Sequence, residues 1–315
     1  MKIIVPEFMA APVEEAAKAF EVPVEMVTVT LEGKLSAPPE GAEVLVLPWR
    51  LPPEVRRRLL ALPSLRWIHS VSVGVDHALG KVPPHVQLTN ARGVFDRPIA
   101  EMVLTYLLMI VKRMPTFLRQ QEARLWKRHR LLELEGMTLG LVGLGHIGRQ
   151  TAQMAKMLGM RVLAVRRHPR GDEAHVDRTM PIEKLERLCA ESDFVVVAVP
   201  LTPETRGLIG EPHFRAMSSS AWLINVARGA VVDEAALIRA LQAGEIGGAA
   251  LDVFTEEPLP PDSPLWTMEN VIITPHNSWS TPRLVEREAT IFLENLRRYL
   301  EGAPLLNLVD RRLGY

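Results

Sequence analysis

Apolar positions along the chain follow two alternating patterns: short aliphatic or β-branched runs, and longer amphipathic stretches with helical spacing. In the first third the short runs predict strands at 2–5, 43–47, 66–69 and 86–89, with helices near 12–20 and at 52–62. A long helical pattern covers 98–114, opened by Pro98, a residue suited to a first helical turn, and a second helix follows Pro115. From 137 onward the alternation sharpens. Strands are expected at 138–142, 161–165, 193–199, 222–226, 248–252 and 271–274, with helices at 146–158, 181–190 and 233–242. A last helix at 282–301 follows the final strand. Strands joined by helical crossovers predict an α/β chain with parallel sheets, and six strands suit a doubly wound dinucleotide-binding sheet. The closing helix is expected to return to the first part. The expected domains are therefore 97–282, doubly wound, and a smaller α/β domain built from 1–96 and 283–315. Segments 33–40 and 258–264 read as loops.

Composition narrows the function classes. A length of 315 residues suits two domains, and a 47% hydrophobic content is ample for packed cores. Lys+Arg and Asp+Glu balance at 37 each, which gives no electrostatic signal for nucleic acid or an acidic membrane surface. The apolar start is too short for a signal-peptide core, and no apolar run approaches the roughly 18–20 residues that span a bilayer. A cytoplasmic protein is the expectation. The single cysteine, Cys189, leaves no internal disulfide and no cysteine-based metal site, and reads as core packing. Met154, Met157 and Met160 likewise read as helical core packing, and no metal is expected. The run Lys127-Arg128-His129-Arg130 beside Trp126 reads as a solvated helix end.

The first chemical signal is Gly143-Leu144-Gly145-His146-Ile147-Gly148, set between a strand-like run and a helical one. Gly143 permits a tight turn, Gly145 lets the backbone approach a pyrophosphate, and Gly148 lets helix and strand pack closely. The amides of His146 and Ile147 would face the phosphates at the positive end of the helix. Roughly twenty residues on, where an acid would bind a ribose 2′-OH, stands Arg166-Arg167-His168-Pro169-Arg170. Guanidinium groups suit bidentate phosphate binding, so NADP(H) is the expected cofactor, with NAD(H) also usable. Arg166 holds the acid's position, and Arg167 is the better candidate for the phosphate.

Three further segments end expected strands: Asn225-Val226-Ala227-Arg228-Gly229, the stretch from Asp252 to Glu257, and Thr274-Pro275-His276-Asn277-Ser278. Ligands of open α/β sheets bind at the carboxyl ends of strands, so Arg228, Glu257 and His276 could converge there. These residues, in this order, resemble the D-isomer-specific 2-hydroxyacid dehydrogenase family. Ser72-Val73-Gly74-Val75-Asp76, Ala100-Glu101 and Val199-Pro200-Leu201-Thr202-Pro203 extend the resemblance over nearly the whole chain. Glu257 follows Arg228 by 29 positions and His276 follows Glu257 by 19, spacings similar to the glyoxylate/hydroxypyruvate reductase branch.

The resemblance implies a Rossmann cofactor domain, a smaller flavodoxin-like substrate domain and a homodimer, with Trp126 a candidate dimer contact. It implies that His276 exchanges a proton with the substrate oxygen, that Glu257 orients His276, and that Arg228 clamps the 2-oxo carboxylate. Val73 and Gly74 would offer amides to the same carboxylate. Val199, Pro200, Thr205, Ala227 and Asp252 would line the cofactor, Asp252 at the nicotinamide carboxamide. Trp49-Arg50 is a candidate for the substrate cleft, Trp279 for reshaping the pocket, and His77 lies near the substrate turn without chemistry. The expected activity is hydride transfer between NADP(H) and a small 2-oxo or D-2-hydroxy acid, glyoxylate or hydroxypyruvate foremost. Two alternatives stand beside it: an NAD-dependent dehydrogenase of phosphoglycerate or a bulkier D-2-hydroxy acid, and a dinucleotide-sensing, corepressor-like binding protein.

Overall fold

The computed structural model describes residues 1–315 except 19, 21, 77 and 170–172, so His77 and Arg170 lie outside the described residues. The chain divides into two compact units, Met1–Phe95 with Thr281–Tyr315, and Asp96–Ser280.

The first unit opens with β1 (Lys2–Pro6), α1 (Ala10–Ala17), β2 (Glu25–Val29), β3 (Ala42–Leu47), α2 (Pro53–Leu60), β4 (Trp67–Ser70) and β5 (Gln87–Asn90). Its strands pair in parallel in the order β2-β1-β3-β4-β5, a flavodoxin-like winding. The second unit runs α3 (Asp96–Val111), α4 (Met114–Glu122), β6 (Thr138–Val142), α5 (His146–Met157), β7 (Arg161–Arg166) and β8 (Arg178–Pro181). It continues with α6 (Leu185–Ala190), β9 (Phe194–Val197), α7 (Glu211–Ala216), β10 (Trp222–Asn225), α8 (Glu234–Ala243), β11 (Gly248–Leu251) and β12 (Val271–Ile273). All its strand pairs are parallel, in the order β12-β11-β10-β9-β6-β7-β8. The order reverses between β6 and β9, and a crevice at the carboxyl ends of those strands is where doubly wound sheets hold nucleotides. Among the described residues, no helix is long and apolar enough to cross a membrane.

Local chemistry accounts for the elements. The central strands β6, β9 and β11 are buried at every position, as parallel strands covered by helices on both faces must be. Helix α8 starts where the Asp233 side chain accepts the Ala236 amide at 3.0 Å, and stops at Gly244, whose φ of 67° ends the turn.

Three elements go beyond the sequence expectation. Strands β2 and β8 are sheet edges, partly exposed and polar, so their alternation is blurred, and β8 ends in Pro181, which only an edge tolerates. The helix expected over 181–190 is instead the end of β8, a 3₁₀ turn at Ile182–Lys184 and the short α6. Helix α7 is too short for a periodic signal. Cys189 is fully buried as expected, and burial pushes its thiol up to about 12. Met160 is buried too, but Met157 faces solvent at 81% exposure, so the three methionines do not form one core stripe. The basic run at 127–130 follows α4 in irregular backbone rather than at a helix end.

The chain returns to the first unit with α9 (Leu284–Leu300). Its Phe292 ring stacks on Trp67 of β4 at 5.3 Å, and Tyr299 stacks there at 5.6 Å. Removing a buried aromatic of this kind costs about 3–5 kcal/mol. Beside this stack lie His69 and Glu288, both fully buried, with Nε2 and Oε2 3.7 Å apart. His69 Nδ1 and Trp67 Nε1 each share a 2.9 Å bond with the Thr89 hydroxyl. Burial lowers the His69 imidazole to about 3 and raises the Glu288 carboxyl well above its ordinary value. The two act oppositely on stability. A raised carboxyl stabilises the fold below the ordinary carboxylate range and loses that contribution as pH rises, whereas the lowered histidine costs stability as pH falls through acid. Glu288→Gln keeps the shape but cannot ionise. Thermal melts from about pH 5 to about pH 9 should therefore show Tm declining less in Glu288→Gln than in the wild type; equal slopes would exclude Glu288 as the titrating group.

Candidate active site

In the second unit, the loop from Gly143 to Gly148 joins β6 to α5 at the switch point. Gly143 has φ 102°, and a Cβ on it would sit 2.7 Å from the carbonyl of Ala198 and from Val199, so the Val199-Pro200 segment closes against this turn. A Cβ on Gly148 would lie 2.3 Å from the Gly143 carbonyl. On Gly145 it would meet nothing within 4 Å, and among the described residues no side chain caps the start of α5, where the His146 and Ile147 amides lie. A pyrophosphate fits that cradle, and a side chain at 145 would fill it. The His146 ring lies at the same helix start, with Nδ1 3.3 Å from Asp96 Oδ2. Thr205 turns its hydroxyl inward: it donates to the Pro200 carbonyl at 2.6 Å and accepts the Thr202 amide at 2.8 Å, bracing the segment that follows β9.

The other segments end β10, β11 and β12. Arg228 follows β10. The Asn225 side chain accepts the Ala227 amide at 3.1 Å and donates to the Arg228 carbonyl at 3.2 Å, fixing the turn that presents the guanidinium. Gly229 touches the next loop directly: a Cβ there would lie 1.9 Å from the carbonyl carbon of Phe254. The Arg228 turn and the loop bearing Glu257 are thus in backbone contact, and the Thr255 amide donates to Glu234 at 2.9 Å from the other side.

Glu257 Oε2 and His276 Nδ1 are 2.7 Å apart, while Glu257 Oε1 accepts the Phe254 amide at 3.0 Å. Burial acts to raise the Glu257 carboxyl. The bond with His276, the Phe254 amide and the nearby His276 and Arg228 outweigh it and leave the group below its ordinary value. The carboxylate bond leaves the opposite ring nitrogen, Nε2, for other chemistry.

His276 adopts φ 50°, the left-handed region that side chains other than glycine rarely occupy. What holds it there is Asp252. This residue is fully buried and accepts from the Thr274 hydroxyl at 2.5 Å, the Asn277 amide at 2.9 Å and the Ser278 amide at 3.1 Å. Its carbonyl takes the His276 amide at 2.8 Å. Both Asp252 oxygens, expected beside a nicotinamide, are engaged in anchoring the histidine loop. Tyr106 of α3 shares a 2.5 Å bond with Thr274, and burial raises its phenol, keeping it neutral. Trp279 Nε1 donates to the His276 carbonyl at 2.7 Å.

Sequence reasoning placed Gly229 and Thr274 in the strand-end segments without giving them roles, and missed Tyr106. The first stood beside Arg228 as a signal for close backbone approach. Thr274 and Tyr106 gave none, because their pairing joins distant segments. Val73 and Gly74 belong to the first unit, in the turn after β4, where Asn90 donates to the Val73 carbonyl at 2.9 Å. Trp49, also there, stacks on Phe8 at 4.9 Å.

Residues 104–278 match the family described as D-isomer specific 2-hydroxyacid dehydrogenase, NAD binding domain. A glyoxylate reductase of Korarchaeum cryptofilum is 38% identical over 264 residues, 80% of this chain and 78% of that one. The chain belongs to the D-isomer specific 2-hydroxyacid dehydrogenase family. Solved structures agree. A family member from Xanthobacter autotrophicus Py2, in complex with NADPH and MES, is 32% identical with a TM-score of 0.87 and covers 99% of each chain. An NADPH-dependent glyoxylate/hydroxypyruvate reductase of Sinorhizobium meliloti, in complex with NADP and sulfate, is 28% identical, with a TM-score of 0.83, over 100% of this chain and 99% of that one. The protein is thus an NAD(P)-dependent oxidoreductase whose family acts on small hydroxy or oxo acids.

As Trp279 holds the carbonyl of a residue in a costly conformation, Trp279→Phe should lower kcat about tenfold while leaving the KM for the dinucleotide unchanged. Wild-type kcat in that variant would show that the bond does not position His276.

Proposed function

We propose that the protein reduces glyoxylate, hydroxypyruvate or a similarly small 2-oxo acid with NADP(H). The observation that carries this reading is the 2.7 Å pair of His276 and Glu257, in one unit with Arg228 and the Gly143–Gly148 cradle. The bound dinucleotide supplies the hydride. His276, held by Glu257 through Nδ1, delivers a proton from Nε2 to the substrate oxygen and takes it back in the reverse direction. Arg228 binds the substrate carboxylate with its planar fork and polarises the adjacent carbonyl. Val73 and Gly74 are the expected amide donors to a carboxylate. Asp252 holds the His276 loop; Val199, Pro200, Thr205 and Ala227 form the cofactor-lining segments. The Arg166-Arg167 pair at the end of β7 supports the 2′-phosphorylated cofactor. We take the working form to be a cytoplasmic homodimer; Trp126, 95% exposed, and the exposed Leu118 and Leu125 support an apolar interface.

Oxidation of NADPH should be measurable with a panel of 2-oxo acids, and no turnover with any of them would sink the reading. His276→Ala should then lose roughly 10²–10⁴-fold in kcat. Arg228→Lys should act mainly by raising the KM for the oxo acid, by about tenfold, since lysine cannot reproduce the bidentate fork. Arg167→Ala should raise the KM for NADPH and leave that for NADH nearly unchanged; equal effects on both would place Arg167 away from the 2′-phosphate.

A further inference from the structure

The cofactor expectation rests on arginines, yet the structure puts an acid among them. At the carboxyl end of β7, Arg166 pairs with Glu173, a residue downstream in the loop toward β8. Arg149, from the first turns of α5, reaches the same carboxylate with Nε and Nη2 at 3.2–3.3 Å. Glu173 is only 10% exposed and Arg166 19%, so the pair is well packed. Arg149 lies on α5, the helix that the Gly143–Gly148 loop opens, and Arg166 ends β7, whose Val165 carbonyl accepts the Gly143 amide at 3.0 Å. By contrast, Arg167 is freer: it faces Glu204 at 3.7 Å, and Glu204 also accepts the Thr202 hydroxyl.

This arrangement changes what the basic cluster can offer. Arg166 stands at the strand end where an acid normally accepts hydrogen bonds from the ribose 2′-OH. Glu173 brings a carboxylate back to that strand end from seven positions downstream. A neutral 2′-OH can donate to it. A 2′-phosphate, bearing up to two negative charges, must either displace Glu173 from Arg166 and Arg149 or lie beside a like charge.

We propose that Glu173 tempers the preference for the 2′-phosphorylated dinucleotide, by occupying Arg166 and Arg149 and by offering the 2′-OH form an acceptor. Arg167 is left as the residue that admits the phosphate, and the chain uses both cofactors, with a discrimination smaller than its three arginines suggest. The inference rests on the proposed reading in taking Arg166 and Arg167 as the ribose-side residues.

The test compares the wild type with Glu173→Gln, which keeps the shape and removes the charge. Calorimetry with ADP-ribose and 2′-phospho-ADP-ribose measures binding without turnover, and kcat/KM for NADPH and NADH is measured alongside. In Glu173→Gln the 2′-phosphorylated ligand should bind about tenfold tighter, as expected for releasing two guanidiniums to a phosphate. ADP-ribose should bind a few-fold more weakly, and the NADPH-to-NADH ratio of kcat/KM should rise in step. An unchanged ratio, or one that moves toward NADH, overturns the proposal: Glu173 would then serve to brace Arg166 in a phosphate-binding posture. The two readings fail separately. A wild type that prefers NADH contradicts the NADP(H) preference but leaves the predicted shift intact. A wild type that prefers NADPH, with no shift in Glu173→Gln, keeps that preference and removes Glu173 from it.

Discussion

Asp252 is completely buried, and a carboxylate taken out of water is tolerable only when its lone pairs find donors. It finds them in the loop that carries His276: one hydroxyl and two amides converge on its oxygens. The exchange is mutual. The loop gives Asp252 its hydrogen bonds, and Asp252 gives the loop a reason to hold a histidine in left-handed backbone. The placement of one side chain at the strand edge thus depends on a neighbouring buried carboxylate.

Around this anchor, the remaining geometry follows from parallel strands ending side by side. Each of β6, β9, β10, β11 and β12 finishes at the same edge of the sheet, and each is followed by a segment with a glycine or a tied polar side chain. Gly143 lets two of these segments meet near the nucleotide cradle, and Gly229 lets two more meet below Arg228. Close backbone approach at these glycines, together with the side-chain bonds of Asp252 and Glu257, sets the spacing of the groups that carry charge.

Much of this was legible in the sequence. Continuous apolar runs mark buried parallel strands, and the glycine loop and the Arg228, Glu257 and His276 segments sit at their ends, so both the fold class and the grouping of the site could be read. What escaped has a common cause. Edge strands β2 and β8 are paired on one side only and keep polar residues, so pattern alone does not separate them from loops. The Tyr106–Thr274 bond joins residues 168 positions apart, and Arg149, Arg166 and Glu173 meet only because α5 packs beside β7. A cluster of arginines reads as free positive charge in one dimension. Its neutralising acid becomes visible only when the chain is folded.

The first unit carries a consequence for biosynthesis. Its sheet is laid down early, but α9, whose Phe292 and Tyr299 cover Trp67, is made only after the entire second unit. On the ribosome, the face of β4 that bears Trp67 must therefore stay apolar and uncovered while the dinucleotide-binding unit is synthesised and can fold. For that interval the nascent chain is half finished in space as well as in length, with a sticky sheet waiting for its lid. Dependence on a holdase during expression would trace to this order of synthesis rather than to any weakness of the finished fold.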